Sequence, residues 1–177
     1  MARSRTVAVY AGEELGRYGF EDHPFGEDRI HAFWDEMHRR HFDYQVRVLQ
    51  PAMATEEQLK LFHTADYVEK VKAFSTTGDG LLDYGDTPAY KGVFEDASVV
   101  VGTVVDATRK VMNNEARRVF VPIAGLHHSM PDTASATSPF RWPYILPSKC
   151  CSSSGMVFPV TAERISSRLE TPAFSFR

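Results

Sequence analysis

Residues 118–128 read RVFVPIAGLHH, which is a run of branched and aromatic side chains, then a glycine, then two adjacent histidines. The apolar run favours a β-strand over residues 118–123, and Gly125 favours a loop immediately after it. Open α/β folds bind their ligands in the crevice beyond the carboxyl ends of the strands. The sequence therefore predicts that His127 and His128 lie where such a fold places its site.

The residues upstream alternate between strand and helix patterns. Alternating or β-branched runs at residues 6–10 and 46–48 favour strands, and apolar side chains recur at helical spacing over residues 27–41, 59–74 and 93–111. Strands that alternate with helices are typical of an α/β domain with a mainly parallel sheet. We therefore predict that class of fold.

Polar residues mark two helix ends. Thr55, followed three residues later by Gln58, has the form of a capping box at a helix start. Asn113 and Asn114 follow the last apolar position of the long helix and favour its termination there. The sequence thus predicts where one helix begins and where another ends.

Composition restricts the class of protein. A length of 177 residues, with 43% hydrophobic and 24% charged residues, is ordinary for one folded domain. The net charge of −3 offers no basic surface to nucleic acid or membrane, and no apolar run reaches the roughly 18 to 20 residues of a membrane span. We therefore expect a cytoplasmic protein that binds neither, while the oligomeric state stays open.

The composition changes near residue 135. Residues 1–135 hold all seven histidines, whereas residues 136–177 are basic overall and rich in Ser and Pro. We predict an α/β domain over the first range and a divergent tail over the second, either poorly ordered or translated out of frame. Within this tail, residues 156–158 favour a short strand and residues 160–170 a short helix.

The order of several short motifs resembles the histone deacetylase superfamily, especially bacterial and archaeal members related to acetoin-utilisation proteins. The matching positions, in chain order, are Tyr10, His23-Pro24-Phe25, Arg29, Phe62-His63-Thr64-Ala65-Asp66-Tyr67, Asp86-Thr87-Pro88 and Gly125-Leu126-His127-His128. An Asp-x-Pro before a long helix, then a strand, then Gly-x-His-His is characteristic of that family. The resemblance covers about residues 5–135 and implies a three-layer arginase/deacetylase-like α/β fold with a mainly parallel sheet, truncated here.

The resemblance also implies a zinc-dependent amide hydrolase that removes acyl groups from acetyl-lysine or a small acetylated amine. His127 and His128 match the paired histidines that act as general base and general acid. Asp86, at the rim, and Gly125 match substrate-binding positions, and Arg29 matches an arginine beneath the active-site floor. This chemistry is coherent, because amide hydrolysis needs a polarised carbonyl, an activated water and a proton donor for the departing amine.

Structural roles compete with these assignments. Adjacent histidines are common in proteins, and Asp86, like Asp83, suits a turn or a helix N-cap. His63 is expected to fix a helix junction rather than to bind metal. The remaining histidines are expected to be structural or surface residues: His23, His31, His38 and His41.

The family's zinc ligands are not identifiable in this sequence. The resemblance calls for an Asp-x-His pair on the next strand and a further Asp downstream, but no histidine follows His128 and only three acidic residues do. Cys150 and Cys151 are adjacent and poorly spaced to replace those ligands. Zinc is therefore expected for the family but not on this chain, for which no metal ligand is predicted.

The match ends abruptly after Ser135, where the family would continue with Gly-Phe-Cys. Our hypothesis is a reading-frame shift or replacement at that point, which translation of the alternative frames beyond codon 135 would test. Three interpretations follow: a deacetylase relative that is inactive as this chain, a non-catalytic binding module that keeps the substrate crevice, and an active hydrolase with metal ligands from unanticipated residues or a partner chain.

Overall fold

A computed structural model of the chain describes residues 7–19, 26, 28–85, 87–123, 128–135, 139–140 and 157–158. The strands are β1 (Val7–Tyr10), β2 (Arg47–Leu49), β3 (Arg118–Phe120) and β4 (Val157–Phe158). The α-helices are α1 (Asp28–Arg39), α2 (Glu56–Leu59), α3 (Ala65–Thr77) and α4 (Val93–Met112), with 3-10 turns at Glu13–Leu15 and Asp43–Gln45. These elements follow the predicted order, although the helix expected over residues 160–170 lies outside the described residues.

The four strands form one sheet in the order β2-β1-β3-β4. Strand β1 is parallel to both neighbours, with Val9 opposite Val48 of β2 and opposite Phe120 of β3. Strand β4 pairs with β3 in the antiparallel direction. The prediction of a mainly parallel sheet is confirmed, and β3 ends at Phe120 rather than at Ile123.

Helices α1 and α4 cover opposite faces of the sheet. The hydroxyl of Tyr10, at the end of β1, donates a hydrogen bond to Asp106 of α4 at 2.5 Å. The ring of Phe120 in β3 lies 5.2 Å from the ring of Phe33 in α1. Because side chains alternate between faces along a strand, and Phe120 is opposite Val9, these contacts belong to different faces. The result is a helix, a sheet and a second helix in three layers.

The long helix α4 is the centre of the hydrophobic core. It has apolar residues on most of its surface, which is typical of a helix packed on several sides. At Gly102 the chain segment 52–54 comes so close that an added Cβ would lie 2.2 Å from the Ala54 nitrogen and 2.3 Å from the Ala52 oxygen. Only glycine permits this approach, so α4 packs tightly against the segment 52–54.

Both predicted helix ends are confirmed. Thr55 Oγ1 accepts from the Gln58 N–H at 3.3 Å, and Gln58 Oε1 accepts from the Thr55 N–H at 2.9 Å, which is the reciprocal pair of a capping box. Helix α4 ends at Met112, and Asn114 then adopts a positive φ of 57°. Asparagine tolerates this conformation better than most residues, which explains the chain reversal at this point.

Two described residues beyond position 135 belong to the core. Phe140 is only 4% exposed, and its ring lies 5.4 Å from the His63 ring and 5.7 Å from the Phe94 ring. The Tyr67 hydroxyl donates to the Pro139 carbonyl at 2.7 Å. Residues 139–140 therefore close the α3 and α4 side of the domain.

Candidate active site

The structure describes two of the five predicted site residues. Arg29 lies in the first turn of α1, is half-buried, and donates its backbone N–H to the Gly26 carbonyl at 3.4 Å. His128 is exposed and directly precedes the fully buried Ser129. Asp86, Gly125 and His127 lie outside the described residues.

The loop that contains Asp86 is organised by Asp83. Asp83 Oδ1 accepts from the N–H groups of Gly85, at 2.9 Å, and Thr87, at 3.0 Å. Asp83 Oδ2 accepts from the Thr87 hydroxyl at 2.5 Å, and Thr87 is fully buried. Asp83 therefore has the turn-forming role that the sequence offered for it, and the residues on both sides of Asp86 are fixed.

Backbone hydrogen bonds join this loop to the segment that follows the two histidines. The Leu82 N–H donates to the Thr87 carbonyl at 2.9 Å, and the Leu82 carbonyl accepts from the Ala134 N–H at 3.2 Å. Within the second segment, the Met130 N–H donates to the Thr133 carbonyl at 2.9 Å. We call residues 81–88 the rim loop and residues 128–135 the histidine segment, and the described residues of the two thus lie side by side.

A cavity of about 340 Å³ opens where the rim loop meets the histidine segment. It is lined by Asp83, Tyr84 and Gly85 on one side and by Ala134 and Ser135 on the other. The side chain of Tyr84 is 97% exposed at its edge. Sequence reasoning missed Tyr84, because an isolated tyrosine in a glycine-rich loop has no periodicity or spacing that marks it.

His63 contacts the histidine segment from the junction between α2 and α3. It lies between α2 and α3, is 3% exposed, and its Nδ1 is 3.3 Å from the Pro131 carbonyl oxygen. The neighbouring Thr64 N–H donates to the same oxygen at 2.8 Å. His63 therefore lies at the helix junction where it was expected, and it holds Pro131 of the histidine segment in place.

Buried tyrosines lie behind the rim loop. Burial raises the pKa of Tyr67, and the carboxylate of Asp83 raises it further. Burial also raises the pKa of Tyr18 well above its ordinary value, with smaller contributions from Tyr90, Tyr67 and Asp83. Both hydroxyls therefore keep their protons at neutral pH and carry no charge.

Comparison with known proteins identifies the family of this chain. The histone deacetylase domain matches residues 23–136. The acetoin utilization protein AcuC of Bacillus subtilis (strain 168) is 33% identical over 140 residues, which are 73% of this chain and 35% of that protein. Histone deacetylase 8 of Xenopus tropicalis is 31% identical over 98 residues, which are 51% of this chain and 27% of that protein.

A solved structure shares the fold. The crystal structure of the HDA15 HD domain superposes with a TM-score of 0.66 at 19% sequence identity, covering 75% of this chain and 39% of that one. The three-layer arginase/deacetylase-like fold is therefore confirmed for the matched part. The chain belongs to the histone deacetylase family, and it spans about a third of the length of the AcuC relatives that it matches.

Members of this family are generally zinc-dependent, so we tested whether the residues fit a zinc ion. Structural and catalytic zinc sites use about three or four ligands from Cys, His, Asp or Glu. Across the described ranges, no three such side chains are close enough together to hold a metal ion. The described part of the chain therefore does not fit the zinc of its family.

Among these same described residues, no helix has the length and apolar character to cross a membrane.

Proposed function

We propose that the cavity between the rim loop and the histidine segment is the substrate crevice of a deacetylase-type site. The reaction that suits it is removal of an acyl group from acetyl-lysine or another small acetylated amine. We further propose that this chain binds such a ligand but does not hydrolyse it alone, because it does not complete the zinc site.

The hydrogen bond from the Ala134 N–H to the Leu82 carbonyl is the observation that carries this proposal. It joins the loop that contains Asp86 to the segment that begins at His128. In the sequence, Asp86 follows Gly85 of the first segment, and His127 directly precedes His128 of the second. The proposal therefore puts a carboxylate at the rim of the cavity and imidazoles beyond it.

In this proposal each of these residues has a separate task. Asp86 accepts hydrogen bonds from the amide N–H or backbone of the ligand and thereby orients it. His127 and His128 exchange protons with the water and the departing amine, which is work that imidazole performs near neutral pH. Gly125 leaves room for the ligand, and Arg29 lies below the floor of the site.

The sequence supports the proposal that this chain does not complete a zinc site. After His128 the chain has no histidine, and its later acidic residues are Asp132, Glu163 and Glu170. An Asp-x-His ligand pair cannot be formed from this set. The family match also ends at residue 136, before the positions where such a pair is expected.

The test measures binding and turnover on the same protein. We expect an acetyl-lysine peptide to shift the amide NMR signals of Gly85 and Ala134, with affinity about tenfold weaker in Asp86→Asn, because a hydrogen bond to a charged group is lost. Zinc analysis after incubation with zinc salt should show less than one ion per chain, and peptide hydrolysis should be undetectable. Met130→Ala is the control, because Met130 is 55% exposed in the histidine segment but does not line the cavity.

Two results would contradict the proposal. If the protein does not bind acetyl-lysine at all, the cavity is not the substrate crevice. Stoichiometric zinc, together with turnover that disappears in His127→Ala and in His128→Ala, would show that the chain is a complete hydrolase.

A further inference from the structure

A second cavity lies on the α1 face of the sheet and shares no lining residue with the proposed crevice. Its volume is about 380 Å³, and we call it the α1 cavity. Its polar and aromatic lining comes from three chain segments: Glu13 after β1, His31, Trp34 and His38 of α1, and Asp43 before β2. Ala11, Ile30 and Val48 contribute aliphatic surface. Cavities of this size accommodate small organic ligands.

Two carboxylates, Glu13 and Asp43, line the α1 cavity. Two imidazoles, His31 and His38, also line it, and none of the described lining residues is a lysine or arginine. The Asp43 side chain is 18% exposed, and its Oδ2 lies 3.9 Å from Nε2 of His38, beyond hydrogen-bond distance. A partly buried carboxylate with so loose a partner favours a cationic guest.

Trp34 gives the α1 cavity an aromatic wall. Its ring lies 5.6 Å from the ring of Phe33 and 5.7 Å from that of His38, so neighbours on the same helix hold it in place. An indole is the aromatic side chain that attracts organic cations most strongly. The Trp34 indole and the two carboxylates therefore both favour a positively charged guest.

Two covered polar atoms belong to lining residues of this cavity and have no hydrogen-bond partner: Trp34 Nε1, which is a donor, and Asp43 Oδ1, which is an acceptor. Native structures leave few such atoms, and each one costs free energy or signals a bound molecule. Both atoms are covered, so the Trp34 and Asp43 side chains must rotate before a guest with a donor and an acceptor can pair with them.

We propose that the α1 cavity binds a small organic ammonium that also carries an oxygen acceptor, such as an amino alcohol. The ammonium donates to the Asp43 carboxylate and lies near the Trp34 indole. The oxygen accepts from Trp34 Nε1, and the alkyl chain packs on Ile30 and Val48. This site is independent of the substrate crevice and of any zinc.

The indole N–H of Trp34 provides a direct measurement. The chain has two tryptophans, so the ¹H–¹⁵N spectrum of the full chain contains two indole signals, and Trp34→Phe identifies the one that belongs to Trp34. We expect 4-amino-1-butanol to shift this signal in a saturable manner with a dissociation constant in the millimolar range, as suits so small a ligand. Butylamine, which lacks the oxygen, should bind more weakly, and 1,4-butanediol, which lacks the charge, more weakly still.

Asp43→Asn should weaken 4-amino-1-butanol binding about tenfold or more, since a hydrogen bond to a charged group is lost. Glu13→Gln, a second and independent variant, should weaken it less. Asp35→Asn is the matched control: Asp35 is exposed on the same helix, does not line the cavity, and its loss changes the net charge equally. Binding should be unchanged there.

Three results would overturn the proposal: no saturable shift of the Trp34 signal, an equal shift with 1,4-butanediol, or full binding in both Asp43→Asn and Glu13→Gln. None of these depends on acetyl-lysine binding, so failure of this site and failure of the proposed function are separate outcomes.

Discussion

Helices α4 and α1 lie on opposite faces of one sheet and differ sharply in burial. Twelve of the 20 residues of α4 are buried, whereas only Ile30 is buried among the 12 residues of α1. Helix α4 is enclosed by the sheet, by α3 and by the segment 52–54. Helix α1 has the sheet on one side, with the α1 cavity beside it.

This difference in burial indicates that the α4 face serves mainly folding stability and the α1 face mainly ligand binding. Burial of apolar surface is the main favourable contribution to folding, so the α4 face supplies most of the stabilisation that the described residues show. The α1 face is polar and only partly covered, and substitutions there should act on ligand binding more than on folding. Three predictions test this division, in order of decreasing effect on stability.

The largest effect is expected for Gly102→Ala in α4. An exposed helical glycine gains about 1 kcal/mol from this change, because alanine is the better helix former. At Gly102 the new Cβ would overlap backbone atoms of Ala52 and Ala54, so we expect a net loss of about 2 kcal/mol or more in the free energy of unfolding, measured by urea denaturation.

The control on the other face is Ala32→Gly, at an exposed position of α1. It should cost about 1 kcal/mol from helix propensity alone. If Gly102→Ala instead stabilises the protein, the close packing of α4 against segment 52–54 is wrong.

An intermediate effect is expected for Tyr10 at alkaline pH. Burial, with the hydrogen bond to Asp106, raises the pKa of Tyr10 well above its ordinary value. Above pH 10 the unfolded chain therefore loses a proton that the folded chain keeps, and stability falls as pH rises. We expect this residue to contribute up to about 1.4 kcal/mol per pH unit to that fall, and Tyr10→Phe to remove the contribution.

Tyr44→Phe serves as the control, because Tyr44 is 72% exposed on the α1 side. Its alkaline unfolding profile should coincide with that of the unaltered protein. Equal profiles for Tyr10→Phe and Tyr44→Phe would contradict the burial assigned to Tyr10.

The smallest effect is expected for Glu36→Gln on the surface of α1. Hydrogen bonds from Arg39 and Arg40 lower the pKa of Glu36 to about 2. Solvent and salt screen ion pairs of this kind, so thermal unfolding should show little or no change in Tm at physiological ionic strength. A large drop in Tm would mean that α1 contributes more to folding than its burial indicates.

Local patterns made much of the fold predictable. The alternation of strand and helix periods predicted the parallel strands β1, β2 and β3, and the Thr55–Gln58 pair predicted the start of α2. These features depend on residues near one another in sequence. The core position of Phe140 was not predicted, since its contacts with His63 and Phe94 join residues far apart in the chain.

The candidate site, like the fold, was predictable from the sequence only in part. The motif order selected Asp86, His127 and His128, and these assignments remain predictions. Asp86 and His127 lie outside the described residues, and the structure does not test the role of His128. The turn role of Asp83 was one of the roles that the sequence offered, but its particular partners, Gly85 and Thr87, emerged only from the structure. The position of Tyr84 at the cavity also emerged only there, because an exposed rim position leaves no distinct signal in residue spacing.

The sequence by itself determined the family, the order of the elements and the shortage of zinc ligands after His128, because each is a matter of residue identity along the chain. Only the tertiary structure decided which segments meet: the rim loop with the histidine segment, Phe140 with the core, and Asp43 with Trp34. Such contacts form between residues distant in sequence, and their free energy depends on packing and desolvation that a linear pattern does not encode.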